Sequence, residues 1–132
     1  MKITADTNLL VRAATVDNEQ QSRAAQAAMR RAELVAVSIA ALCEFAWVLT
    51  QGYKVPSGRV AEAIRRLING ANVVVNRPAA EAGLALLDAG GDFADGVIAY
   101  EGNWLGADTF VSFDKKAVKL MQANGQSAQL LS

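Results

Sequence analysis

Apolar positions fall into short runs that alternate with longer amphipathic stretches along the chain. Short apolar runs bounded by turn residues are typical of buried strands, and amphipathic stretches of about ten or more residues are typical of helices. Five strands are predicted, at Lys2–Ala5, Leu34–Val37, Asn72–Val75, Thr109–Ser112 and, least distinctly, Ser127–Leu130. Helices are predicted over Asn8–Ala13, Glu19–Ala32, Ile39–Gln51, Ser57–Asn69, Ala79–Leu87, Phe93–Trp104 and Lys115–Leu120. This alternation predicts an α/β fold, a three-layer α/β/α sandwich with a central parallel sheet of four or five strands.

Composition limits the size and surroundings of the protein. With 132 residues, 52% of them apolar, the chain is expected to form a single domain of residues 1–132 around one core. Its formal net charge is zero, so any phosphate-binding surface must be local. Cys43 is the single cysteine and is expected to be a buried thiol in a reducing cytoplasm. The stretch from Met1 to Asp6 reaches an acid too soon for a secretory signal, so we expect a soluble, cytoplasmic protein without a membrane anchor.

The chain contains no histidine. Catalytic triads that contain histidine, Cys/His pairs, histidine metal sites and paired-histidine ribonuclease chemistry are therefore excluded. An enzyme built from this sequence must rely on carboxylates, lysine, tyrosine or bound water.

Four acidic residues follow predicted strands or begin the helices after them. Asp6 ends the first strand, Glu44 lies in the second turn of the helix after the second strand, Asp95 opens a long helix, and Asp114 follows the fourth strand. Ligand sites in open parallel sheets lie beyond the carboxyl ends of the strands. We therefore expect these four side chains to converge at that edge.

Each of the four also has an ordinary structural interpretation. Asp6 and Asp114 are placed to cap the helices that follow them. Asp92 and Asp95 have the spacing of a capping box, and a capping role is the favoured interpretation for Asp92. Glu44 interrupts an apolar helical stretch, where a buried ion pair with an arginine such as Arg12 is the alternative to a metal.

A group of carboxylates repels itself and raises its own pKa values unless cations occupy its centre. Mg²⁺ and Mn²⁺ prefer oxygen ligands, so no histidine is required. The chemistry suggested is phosphodiester hydrolysis, in which one ion lowers the pKa of the attacking water and a second stabilises the leaving oxygen.

Four segments then carry a resemblance to a known family: residues 6–12 (DTNLLVR), Glu44 within its apolar helix, residues 92–99 (DFADGVIA) and residues 111–116 (VSFDKK). Together they resemble PIN domains of the VapC toxin type. The resemblance implies a Mg²⁺-dependent ribonuclease that also accepts Mn²⁺, with Asp6, Glu44, Asp95 and Asp114 as the catalytic and metal-binding residues. Ser112 keeps the small hydroxyl that the family has two residues before the last acid, and the resemblance places it among the catalytic residues. Gly96 stands where alanine is usual, which is expected to loosen the first turn of its helix.

The resemblance also implies partners. They are an RNA substrate cut in single-stranded or loop regions, a cognate antitoxin protein and a second copy in a homodimer. Arg12, Lys115 and Lys116 are the basic side chains expected to bind phosphates. Trp47, Val48 and Tyr53 offer an apolar surface for an antitoxin peptide, although core packing explains Trp47 equally well.

Rival interpretations lack the residues they need. A phosphate-binding receiver domain requires an acid after the third strand, where Asn76 stands, and paired acids after the first. A dehalogenase-type phosphatase requires a second acid at position 8, which is Asn8. A PIN fold that serves only as an interaction module remains the alternative to a nuclease.

Overall fold

The structure, a computed structural model, describes residues 1–132 in two compact units, Met1–Arg77 and Pro78–Ser132. The predicted α/β class is confirmed, with seven α-helices and five strands that pair only in parallel. The strands form a three-stranded and a two-stranded sheet in place of the expected central sheet of four or five. Strands of two or three residues make short ladders, so the sheets are small. None of the helices is both long and apolar enough to cross a bilayer.

The first unit contains a parallel sheet of β1 (Lys2–Thr4), β2 (Leu34–Ala36) and β3 (Val73–Val74), with β2 in the middle. Its helices are α1 (Thr7–Ala14), α2 (Glu19–Arg31), α3 (Ile39–Trp47) and α4 (Ser57–Ile68). Val35 of the central strand is completely buried, as are Leu42 of α3 and Ile64 of α4. The unit therefore has an aliphatic core to which both the sheet and the helices contribute.

Local capping explains where two of these helices begin. Asn18 accepts a hydrogen bond from the backbone N–H of Gln21 at 3.0 Å, and Ser38 accepts one from Ala41 at 3.1 Å. The third predicted helix has the expected extent but changes type, because α3 continues as a π-helix over Val48–Gly52. Cys43 of α3 is half-buried, so the expectation of a buried thiol is wrong.

The second unit contains α5, which begins at the last residue of the first unit and runs over Arg77–Asp88, then α6 (Phe93–Trp104) and α7 (Lys115–Ala123). Strands β4 (Phe110–Ser112) and β5 (Ala128–Leu130) pair in parallel. One core cluster joins α5, α6 and α7 through Leu86, Ala99 and Met121, with Phe110 of β4 and Ala128 of β5 packed against it.

Helices α5 and α6 approach each other closely at glycines. A Cβ on Gly96 would lie 2.5 Å from the carbonyl oxygen of Ala82, and a Cβ on Gly83 would lie 2.6 Å from the ring of Phe93. Such distances are shorter than any ordinary contact, so a larger residue at either position would force its neighbour to shift. Gly96 therefore lowers the helix propensity of α6. It also lets α5 approach α6 closely at the residue that follows Asp95.

Candidate active site

Asp6 follows β1 and caps α1. Its backbone is extended, and its Oδ1 accepts a hydrogen bond from the N–H of Leu9 at 2.8 Å. The side chain is exposed, and its second carboxylate oxygen accepts no hydrogen bond from the protein. The capping interpretation is thus confirmed for Asp6, and one oxygen remains available to a ligand.

Glu44 lies on α3 and is held by Thr7, the residue after Asp6. The hydroxyl of Thr7 donates to Oε1 of Glu44 at 2.6 Å, a distance typical of a strong hydrogen bond to an ionised acceptor. This bond links α3 to the N-terminal turn of α1. Asp6 and Glu44 are therefore connected through one intervening side chain.

The expected apolar, buried environment of Glu44 is wrong. Glu44 is exposed, and Ala40 and Trp47 on the same helical face are exposed too, Trp47 to 63%. The alternative of a buried pair with Arg12 is also wrong, because Arg12 binds Asp17 at 3.3 Å. The helix buries Leu42 and Phe45 instead. One face of α3 is thus exposed, although nearly all of its residues are apolar.

Asp92 and Asp95 take different roles at the start of α6. Asp92 caps the helix, accepting the N–H of Ala94 at 3.2 Å, as predicted. Asp95, one turn further on, is half-buried, and its carboxylate has no hydrogen-bond partner among the protein groups. Burial raises the pKa of Asp95, and the negative charges of Asp92 and Asp114 raise it further.

Asp114 follows β4 and caps α7. Its Oδ1 accepts the N–H of Ala117 at 3.1 Å, while its own N–H donates to Oγ of Ser112 at 2.9 Å. Ser112 is anchored in turn, because its carbonyl oxygen accepts the N–H of Leu131 at 2.9 Å. The Ser112 hydroxyl therefore fixes the backbone from which the Asp114 side chain projects.

The structure brings the predicted acids together in pairs within each unit. Asp6 and Glu44 are joined through Thr7, and Asp95 and Asp114 are near enough for one charge to shift the pKa of the other. No group of three or more acidic or cysteine side chains is arranged to hold a metal ion. The donors are all oxygens, and the unpartnered, half-buried Asp95 fits a cationic ligand by its chemistry.

Comparison of the sequence with models of known protein families identifies the family of this chain. The PIN domain profile matches residues 3–120, which includes all four acids. The chain belongs to the PIN domain family. PIN domains are typically nucleases, generally use divalent metal ions, and often occur in toxin–antitoxin systems. Comparison with curated proteins gives no match.

The three basic residues expected to bind phosphate have different surroundings in the structure. Arg12 is half-buried, its guanidinium pairs with Asp17, and its buried Nε has no partner. Lys115 and Lys116 are exposed at the start of α7 and form no salt bridge. Two of the three predicted cations are thus available at the surface, while the third is engaged within the first unit.

Arg12 also lines a shallow depression of about 310 Å³, beside Asp6. The other lining residues come from α1 and α2 and are Asn8, Leu9, Gln21, Ala24 and Ala25. Because Asp17 fixes one guanidinium nitrogen, the arginine presents a constrained rather than a freely moving charge here.

A hydrogen-bonded group surrounds Asp17 and was not predicted from the sequence. Its carboxylate accepts the hydroxyl of Tyr53 at 2.9 Å and that of Thr15 at 3.1 Å, besides the guanidinium of Arg12. These bonds, led by that from Tyr53, hold the pKa of Asp17 below its usual value. Tyr53 lies just after the π-helix, 36 residues from Asp17, so sequence spacing gave no signal.

Proposed function

We propose that this PIN domain is a Mg²⁺-dependent endoribonuclease that hydrolyses RNA phosphodiester bonds, with Mn²⁺ able to substitute. The observation that carries the proposal is Asp95, a half-buried acid without a hydrogen-bond partner. Desolvating an unpaired carboxylate costs free energy, and two neighbouring acids add to that cost. A bound divalent cation would offset this desolvation cost, which would explain why an unpaired carboxylate is placed here.

Asp6, Glu44, Asp95 and Asp114 would together hold the ion, with Ser112 positioning Asp114. The support for joint action is the family profile, which spans both units and all four residues. On the same ground we treat residues 1–132 as one PIN domain. When bound, the divalent ion would lower the pKa of the attacking water and stabilise the leaving oxygen.

Several finer proposals rest mainly on the family resemblance. They are a role as a VapC-type toxin in the cytoplasm, inhibition by a cognate antitoxin, and assembly as a homodimer. The exposed Trp47 supports an antitoxin surface on α3, because core packing does not explain it. Tyr53 supports it less, since its hydroxyl is engaged by Asp17. Co-expression tests the toxin role: growth arrest by the chain should be relieved by the product of the neighbouring gene.

The direct test is cleavage of RNA by the purified chain. We expect activity with Mg²⁺ or Mn²⁺, none with excess chelator, and recovery when the metal is restored. The chain has no histidine to deprotonate a ribose 2′-hydroxyl, so the products should carry 5′-phosphate and 3′-hydroxyl ends. Products with 2′,3′-cyclic phosphate ends would rule out hydrolysis by this site.

A non-catalytic interaction module is the second candidate. It is favoured by the helix-capping roles of Asp6 and Asp114, which explain both residues without a metal. Under that hypothesis the chain binds its partners but cuts no RNA under any metal condition. The same cleavage assay therefore separates the two.

A further inference from the structure

Two large aromatic side chains of the second unit are strongly exposed. Phe113 is 73% exposed and Trp104 is 78% exposed. Trp104 is the last residue of α6, whereas Phe113 lies between Ser112 and Asp114, next to an acid of the proposed active site. Exposing so much apolar area forfeits the stabilisation that burial would bring, so the position of Phe113 calls for a reason.

The backbone around Phe113 is fixed on both sides. Ser112 is held to Leu131 through a backbone hydrogen bond of 2.9 Å, and the N–H of Asp114 is held by the Ser112 hydroxyl at 2.9 Å. Asp114 then begins α7 as its cap. Phe113 is therefore an exposed aromatic ring on a backbone that hydrogen bonds hold on both sides.

Two exposed lysines follow directly. Lys115 and Lys116 occupy the first turn of α7, and neither forms a salt bridge. Positive charges at a helix N-terminus oppose the helix dipole, so helix stability does not account for them. Their sign suits a phosphate, which the helix N-terminus also favours.

We propose that Phe113 is a base-stacking residue, on whose ring an unpaired RNA base packs while Lys115 and Lys116 bind the adjacent backbone phosphates. This inference rests on the proposed ribonuclease function. Aromatic rings bind single-stranded nucleic acid in this way, since every base has a π-face. A base inside a duplex has no free face, so Phe113 makes an unpaired nucleotide beside Asp114 a requirement for the substrate.

A protein partner is less well suited to this ring. In the chain Phe113 lies between Ser112 and Asp114 and is followed by two lysines, all polar or charged, whereas the centres of protein interfaces are depleted of charge. Val111 of β4, Leu130 of β5 and Leu131, which follows β5, are also exposed, so self-association through these two strands is an outcome that the experiment must detect.

The experiment measures binding of single-stranded oligo(A) and oligo(U) of about 12 nucleotides, a length within the range of site sizes known for single-strand-binding OB folds. Chelator is present so that cleavage does not interfere. The wild-type chain is compared with Phe113→Ala, Phe113→Trp and the matched control Trp104→Ala. Because both aromatic residues are exposed, each variant should fold, and circular dichroism checks this. A 2-aminopurine base in the oligonucleotide reports stacking by its fluorescence.

We expect Phe113→Ala to weaken single-strand binding about tenfold, or about 1.4 kcal/mol, and to abolish the 2-aminopurine quenching. Phe113→Trp and Trp104→Ala should stay near wild type, and oligo(A)·oligo(U) duplex should bind weakly to all four. The inference is overturned if Phe113→Ala binds like wild type, if Trp104→Ala loses as much, or if Phe113→Ala changes only the sedimentation of the protein.

Cleavage assays separate this inference from the proposed function. If wild type cleaves RNA and Phe113→Ala has an unchanged KM, the function stands and the stacking role fails. If the chain never cleaves but Phe113→Ala alone loses RNA binding, the stacking role stands and the nuclease function fails. If wild type binds no RNA, both fail.

Discussion

Asp17 in the first unit and Asp95 in the second are acids in opposite circumstances. Asp17 is exposed, yet it accepts hydrogen bonds from Tyr53 and Thr15 and pairs with Arg12. Asp95 is half-buried, yet no protein group pairs with it, and Asp92 and Asp114 add like charge. Water alone would satisfy Asp17, whereas Asp95 loses water without compensation.

This contrast shows that the fold is destabilised by a desolvated charge at Asp95 but not at Asp17. Proteins commonly break the rules of local stability at functional sites and compensate elsewhere. Asp17 follows those rules and is explained by them completely. Asp95 breaks them and is therefore the residue that most needs a ligand.

The largest expected effect is on catalysis. Asp95→Asn should lower Mg²⁺-dependent RNA cleavage by at least about 100-fold, because even partners of metal ligands contribute about 10 to 100-fold. The metal-free melting temperature should stay unchanged or rise, since the substitution removes a desolvated charge. The stabilisation that Mg²⁺ gives by mass action should shrink.

Asp92→Asn is the matched control for Asp95→Asn. Asparagine caps helices as well as aspartate does, so α6 should keep its start and the chain should keep most of its cleavage. Suppose instead that Asp95→Asn melts lower without metal, responds fully to Mg²⁺ and still cuts RNA. Asp95 would then have a structural role, and its difference from Asp17 would no longer indicate a ligand site.

The next largest effect is on stability and concerns the close approach of α5 and α6 at Gly96, the residue after Asp95. Gly96→Ala should lower the free energy of unfolding by about 1 to 3 kcal/mol, because its Cβ would meet the carbonyl oxygen of Ala82 at 2.5 Å. Gly102→Ala, in the same helix, meets nothing within 4 Å and should gain up to about 1 kcal/mol from helix propensity. Urea unfolding measures both. Equal changes in the two variants would show that the crossing is not tightly packed.

Much of the fold could be predicted from the sequence. The bounds of α6 are those predicted, because capping by Asp92 and the glycine after Trp104 and Leu105 mark both ends. All five predicted strands exist, with ends trimmed by one or two residues. The division into two sheets could not be predicted, since strand pairing depends on contacts between distant parts of the chain.

The site could be predicted in part. Capping by Asp6, Asp92 and Asp114 follows from short-range chemistry and was visible in the sequence. The exposure of Glu44 was not, because the apolar residues around it do not show which face α3 presents to solvent. The Tyr53–Asp17 bond was not either, since the two residues lie 36 positions apart and Tyr53 follows a π-helix, for which the local sequence has no signal.

A smaller effect is expected from the residue that holds Glu44. Thr7→Val should lower cleavage roughly tenfold by releasing Glu44 from its hydrogen bond of 2.6 Å, whereas Thr7→Ser should stay near wild type. Glu44→Gln gives the effect of losing the carboxylate itself. Cleavage rates at saturating Mg²⁺ measure all three. If Thr7→Val cleaves normally while Glu44→Gln does not, Glu44 acts without positioning by Thr7.

The smallest effect, and the most direct comparison, is the pH dependence of stability. The folded-state pKa of Asp17 lies below the ordinary 3.8, so ionised Asp17 stabilises the fold at neutral pH. That contribution is lost as the pH falls through 3.8 and then through the lower folded-state value. The folded-state pKa of Asp95 lies above 3.8, so ionised Asp95 destabilises the fold at neutral pH. That penalty disappears as the pH falls through the raised value towards 3.8.

Wild type, Asp17→Asn and Asp95→Asn should therefore diverge in opposite directions when urea unfolding is measured in chelator from neutral pH to below 3.8. At neutral pH Asp17→Asn should be less stable than wild type and Asp95→Asn at least as stable. Both differences should shrink on acidification, since all three chains then carry a neutral side chain at the altered position. Tyr53→Phe should reproduce the Asp17→Asn behaviour, because the Tyr53 hydroxyl is the largest cause of the lowered pKa of Asp17. Differences of the same sign for both asparagine variants would mean that the two acids share one environment, and the argument for a ligand at Asp95 would fail.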